Sequence, residues 1–183
     1  MNHFRNQELL DNADMCIKEG RLNDAFTILN DILMDDPLYG KAHNHLGYIY
    51  ETKIRDYKKA EEHYKLCLQY SPEYAAAYYN YAILLSTLKN FEALAGLLQK
   101  AESVPGINPA TIANEWAIMF EAQGKMEEAI THYRKVISQS FDNKTVDVAM
   151  ESVARCEKKK NFLSGNTTGT SGSPTPPPPG WRG

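Results

Sequence analysis

Histidines, cysteines and acidic pairs are the residues of this chain whose types could bind a metal or do catalysis. The histidines are His3, His43, His45, His63 and His132. His43 and His45 stand two apart and so point to different sides of a helix. No cysteine or carboxylate lies at a ligand spacing beside them, so they do not complete a metal site. His63 and His132 recur at matching places in a longer pattern and read as an exposed helix face. Cys16, Cys67 and Cys156 are odd in number and widely scattered, which suits a reducing compartment better than a disulfide framework. Cys67 falls among apolar positions and reads as a small buried hydrophobe rather than a reactive thiol. The pair Asp35 and Asp36 precedes Pro37 and reads as a solvated helix end. The chain has no phosphate-cradling glycine loop, no HExxH motif and no GxSxG motif. No catalytic residue, cofactor or metal is expected, and the chemistry to look for is adhesion.

The elements that position these residues repeat. Small residues that let two helices approach closely fall at Ala13, Gly47, Ala82 and Ala117. Bulky residues that open a second helix fall at Leu22, Tyr57, Phe91 and Met126. Later turns of that helix give three further columns: Ala25, Ala60, Leu94 and Ala129; Leu29, Tyr64, Leu98 and Tyr133; and Ile32, Cys67, Ala101 and Val136. Each column steps by 34 or 35 residues. A period of that length signals stacked supersecondary units, each of which buries its apolar face against its neighbours.

In these residues the chain resembles the tetratricopeptide repeat family, over about residues 6–143. The second unit carries the family pattern as Leu46-Gly47, Tyr50, Tyr57, Ala60, Tyr64 and Pro72. The first carries Ala13, Gly20, Ala25 and Pro37, and the fourth Trp116-Ala117, Phe120, Gly124 and Ala129. Leu94 in the small-residue column and Phe141-Asp142-Asn143 in place of a closing proline depart from it. The resemblance implies an all-α, right-handed superhelical solenoid of four helix-turn-helix units, about 6–39, 40–74, 75–109 and 110–143, plus a C-terminal capping helix at 145–160.

Read in order, the first helix is predicted over about Asn6 to Glu19 and the second over Leu22 to Asp35, stopped by Pro37. One extra residue lies between Tyr50 and Tyr57, which predicts that the first helix of the second unit runs on or bulges. Lys89-Asn90 makes the third unit's turn, with Asn90 expected in the left-handed conformation. Val146, Ala149, Met150 and Val153 form the expected apolar stripe of the capping helix, and Lys158 to Lys160 oppose its dipole. Residues 164–183 change composition. Their Gly/Ser/Thr half reads as a flexible linker and Pro174 to Pro179 as extended polyproline II, with Trp181 and Arg182 beyond. Two readings stand for this stretch, a disordered tail and a short recognition motif.

The chain has 183 residues, is 43% hydrophobic and carries a net charge of -3. That charge argues against a phosphate-backbone ligand, so no nucleic acid is expected. The polar N-terminus and the absence of a run near the ~20 apolar residues of a membrane span point to a cytoplasmic, soluble protein with no membrane contact.

By the same resemblance, the first helix of each unit lines an inner groove that holds a partner's peptide segment. Carried over by helical position, the groove residues are Gln7, Leu10, Asp11 and Asp14; Lys41, Asn44, His45 and Tyr48; Ala76, Tyr79, Asn80 and Ile83; and Thr111, Asn114, Glu115 and Ile118. The asparagine amides can hold an extended main chain, and the tyrosines are binding anchors. The acids Asp11, Asp14 and Glu115 favour a neutral or basic ligand. The alternative is that these polar residues only solvate the inner face. Some family members bind acidic chaperone C-termini through a two-carboxylate clamp, but Leu10, Asp14, Ala76 and Asn80 do not match it. The function expected is therefore a non-enzymatic protein-protein interaction scaffold or adaptor. The alternative is a structural subunit that self-associates, through groove or tail, or packs in a larger assembly; an RNA-binding array ranks third.

Overall fold

The computed structural model describes residues 2–165, and the proline run, Trp181 and Arg182 lie outside them. The elements are α1 (Asn2–Lys18), α2 (Leu22–Asp35), α3 (Gly40–Ile49), a π-helical turn (Tyr50–Ile54), α4 (Tyr57–Tyr70), α5 (Ala75–Thr87), α6 (Phe91–Ala101), α7 (Pro109–Ala122), α8 (Met126–Gln139) and α9 (Asn143–Leu163). No strand occurs among the described residues. Nor is any helix there long and apolar enough to cross a membrane. α1 starts before Asn6, and α9 extends past both ends of the predicted 145–160.

Consecutive helices pair as hairpins, α1 with α2, α3 with α4, α5 with α6 and α7 with α8, and α9 closes against α8. The three later columns of the second helices are buried throughout. Side chains as large as Leu29, Ile32, Tyr64, Leu98 and Val136 each contribute roughly 1.5–3 kcal/mol of transfer free energy. The cores bridge neighbouring units: Tyr39, Ala42, Leu46 and Ile49 pack with α1 and α2, and residues from α4 to α7 share one cluster. Stability is thus held between units as well as within them. Gly47 shows how close the helices come. A Cβ there would lie 2.7 Å from two carbons of the Tyr64 ring.

The four inter-helix turns share one design. Each places a single residue in the left-handed conformation: Gly20 (φ 78°), Arg55 (φ 62°), Lys89 (φ 55°) and Gly124 (φ 78°). Lys89, not Asn90, takes that role in the third turn. Asn90 instead caps α6, its side chain accepting from the Ala93 amide at 3.3 Å, because the amide that needs an acceptor lies three residues ahead of it. Each turn closes with a main-chain bond back into the first helix: Arg21 N–H to Cys16 O, Asn90 N–H to Leu85 O and Lys125 N–H to Phe120 O span five residues. In the second unit Asp56 N–H bonds Tyr50 O, a span of six. The π-helical turn between them takes up the inserted residue, as π bulges do.

α5 and α6 approach less closely than the other paired helices. Leu94, fully buried, fills the column where α2, α4 and α8 have alanine. Along α9 the buried residues are Ala149, Ser152 and Cys156, with Val146 and Val153 partly covered. Met150 is 55% exposed, so the buried stripe is rotated away from it toward Ser152 and Cys156.

Candidate binding groove

The first helices lie side by side, α1 with α3 and α3 with α5. Tyr79 on α5 reaches the start of α7, its hydroxyl accepting from the Asn108 amide at 2.9 Å. That bond gives Tyr79 a bracing role the sequence did not show.

At the first turn of the face, Gln7 Oε1 accepts from Lys41 Nζ at 3.1 Å while Gln7 Nε2 donates to Asp11 Oδ1 at 2.9 Å. Lys41 Nζ also lies 5.7 Å from the centre of the Tyr74 ring. Ala76 and Thr111 continue this column, both partly covered. In the next column Leu10 is only 4% exposed and belongs to the first hairpin's core, so it does not line the groove. Asn44 is buried as well, and Asn80 Nδ2 donates to Asn44 Oδ1 at 3.1 Å across the unit boundary. The two amides are therefore not a pair of free main-chain clamps. Asn44 holds the Asn80 amide, whose carbonyl oxygen accepts no hydrogen bond among the described residues. His45 Nδ1–H donates to Lys41 O at 2.9 Å, since a carbonyl can only accept. Asn114 Nδ2 reaches Glu115 Oε1 at 3.5 Å. Burial pushes the Glu115 carboxyl up from its ordinary range against that bond.

One column is apolar and open. Tyr48, Ile83 and Ile118 occupy the same position on α3, α5 and α7 and are 37%, 51% and 37% exposed. Asp14 takes that position on α1 and is paired with Lys18. The arrangement offers a row of apolar contacts beside amide, imidazole and carboxylate groups. Apolar side chains beside hydrogen-bonding groups are chemistry for non-covalent contact.

The histidines sit differently from the expectation of an exposed face. His63 is partly buried between α3 and α4, stacked on the Tyr50 ring at 5.4 Å, with its Nδ1 3.1 Å from Nδ1 of His43. Burial first, and then His43 and Lys59, lower its pKa to about 4. His132 packs on Phe120 at 5.3 Å and Trp116 at 5.9 Å. Tyr50 and Phe120 are equivalent positions, so both hairpins use an imidazole against an aromatic ring. Among the described residues no three His, Cys, Asp or Glu side chains gather as metal ligands. Cys67 is fully buried, and burial raises its thiol to about 12, which makes it inert at neutral pH.

The family model of the tetratricopeptide repeat matches residues 40–74. No curated protein matches the sequence. Among solved structures the chain is similar to PilF of Pseudomonas aeruginosa, with a TM-score of 0.74 and 17% identity over 90% of this chain and 78% of that one. It is similar to MamA, with a TM-score of 0.64 and 20% identity over 87% and 88% of the two chains. It also resembles YrrB, described as a TPR protein with an unusual peptide-binding site, with a TM-score of 0.62 and 17% identity over 87% and 86%.

Proposed function

We propose that this tetratricopeptide-repeat protein is a non-enzymatic adaptor that holds a peptide segment of a partner in the groove of its first helices. The observation that carries the reading is the apolar row Tyr48, Ile83 and Ile118, left open at one helical position in three consecutive units. Large apolar side chains set in a row are costly to leave in water and gain most from a ligand. Asp11, Asp14 and Glu115 lie along the same face and favour a segment that is neutral or basic. Three unpaired buried cysteines suit a cytoplasmic setting.

The test is affinity capture with the intact chain and with a Tyr48→Ser, Ile83→Ser, Ile118→Ser variant, partners being mapped afterwards on short overlapping peptides. Ile83 is half open and Tyr48 and Ile118 about a third, so the variant should melt lower than the parent, and its fold is checked by circular dichroism at the capture temperature. A partner peptide held by the parent and lost by the folded variant supports the reading; equal retention by both removes it. One observation favours the assembly reading instead: Phe141 is fully exposed, and Phe162 and Leu163 are 74% and 68% exposed at the far end of α9. Light scattering would then show mass rising with concentration, an effect removed by Phe141→Ser with Phe162→Ser.

A further inference from the structure

A second surface lies on the side built by the second helices, between α4 and α6. On that side is an open cavity of about 570 Å³, whose lining includes Lys65 and Leu68 from α4, Tyr81 from α5 and Ala93, Gly96, Leu97 and Lys100 from α6. The four α6 residues fall at i, i+3, i+4 and i+7 and so share one face of the helix.

Gly96 is the unexplained residue. It sits mid-helix and exposed, and a Cβ there would meet no atom within 4 Å. Nothing among the described residues requires glycine at a position where it weakens a helix relative to alanine. What glycine provides there is close access for a backbone from outside. Ala93, one turn earlier, keeps that strip low, and the interaxial distance of packed helices shrinks with the side chains between them.

Charge decides what fits. Two lysines stand among the lining residues, and no carboxylate does. Lys65 pairs with Glu61 at 2.8 Å, while Lys100 makes no ion pair among the described residues. Residues 166–183 carry Arg182 as their single charged side chain, which does not complement this rim. We infer that the cavity between α4 and α6 is a docking site for an acidic amphipathic helix of another protein. Its apolar face lies on Leu68, Ala93 and Gly96 over the buried Leu97, and its carboxylates meet Lys100 and compete with Glu61 for Lys65. This surface is separate from the first-helix groove and needs no ligand there.

The test uses the full chain and two labelled model peptides, helical by design, with leucines on one face and the rest either glutamate or lysine. Binding is read by fluorescence anisotropy. The glutamate peptide should saturate, and the lysine peptide should bind at least about tenfold more weakly. Gly96→Leu should weaken the glutamate peptide by about tenfold or more while leaving the melting temperature equal or higher, since leucine is the better helix former. Lys65→Glu with Lys100→Glu, both at the exposed rim, should do the same without relying on a core change.

Five results would overturn the proposal. The peptides could bind alike or not at all, or the glutamate peptide could ignore Gly96→Leu. Binding could be lost in the Tyr48, Ile83, Ile118 variant, which would put the peptide in the other groove. Affinity could rise on deleting residues 166–183, which would make the chain's own tail the occupant. Finally, mass could rise with concentration and return to monomer with Gly96→Leu, which would make it a second copy.

Discussion

Tyr64 and Tyr133 stand at the same place in the second and fourth hairpins, and each donates its hydroxyl to a glutamate on the first helix side, Glu51 at 2.6 Å and Glu121 at 2.9 Å. The two glutamates are equivalent positions, yet their carboxyls are pushed in opposite directions. Burial raises Glu51, with only the Tyr64 bond opposing it. Glu121 is held well below the usual carboxylate range, first by the Arg155 guanidinium and then by Lys159 and Tyr133. The cause is the neighbouring helix. α9 supplies Arg155, with bonds of 2.9 and 2.8 Å, and Lys159, at 2.8 Å. At the corresponding place α5 supplies Leu85, fully buried. The same hydrogen bond is therefore set in an apolar joint inside the array and in a charged clasp at its end. The difference teaches that a repeat's interior can stay constant while its electrostatics are set by whichever helix stacks on it.

The sharpest way to break the comparison is through the small-residue column beneath both bonds. Gly47→Leu should drive a side chain into the Tyr64 ring and cost about 1–3 kcal/mol or more, as overpacking does. Ala117→Gly, at the matching place in the fourth hairpin, should cost only about 1 kcal/mol of helix propensity. Thermal melts of the two variants check this, and equal losses would place the tight joint elsewhere.

A smaller effect separates the two glutamates directly. Arg155→Ala removes charged hydrogen bonds to Glu121, whose side chain is 12% exposed, and should cost about 1–2 kcal/mol, discounted because Arg155 itself is half in water. Glu51→Gln keeps an acceptor for Tyr64 and removes a buried charge, so urea titration should find it within about 0.5 kcal/mol of the parent.

The smallest effects are those of pH, and their signs differ. His63 is lowered to about 4 from the ordinary 6.5, so between those values the unfolded chain holds the proton and stability falls as pH falls. Glu51 is raised above 4.5, so the folded chain holds its proton first and stability gains slightly as pH falls toward 4.5. Glu121 contributes fully above 4.5 and loses that contribution as pH falls further. Urea midpoints should therefore drop between pH 6.5 and 4 and the drop should flatten in His63→Gln. Below pH 4.5 the remaining decline should flatten in Arg155→Ala.

The repeats were legible because columns of apolar residues keep register over four units and burial enforces that register. The closing helix and the bulge after Tyr50 were legible too, while α1 starts before Asn6 and α9 runs past both of its predicted ends, because periodicity marks a helix's buried face and not where its exposed ends stop. What periodicity does not carry is which polar residue finds a partner across a unit boundary. Asn44 and Asn80 looked alike as groove amides, but only the packing of α3 against α5 joins them and buries one. His63 and His132 read as an exposed face from their equivalent positions, while each in fact covers a ring. Lys89 was passed over because a lysine in the left-handed region is disfavoured on its own, and the closure of the turn around it overrides that preference. Of the open row, Tyr48, Ile83 and Ile118 were all placed by position, but their common exposure is a property of the folded surface.

The π-helical turn at Tyr50–Ile54 has a consequence for inheritance. A codon gained in most helices would rotate every later side chain by about 100° and scramble the columns. Here the added residue is confined to a single widened turn, and the columns resume at Tyr57 as if it had not been copied in. The ends of the first helices are thus the places where such an array can gain or lose a residue and still transmit its architecture intact, so lineages of this protein should differ in length there before they differ anywhere within a hairpin's core.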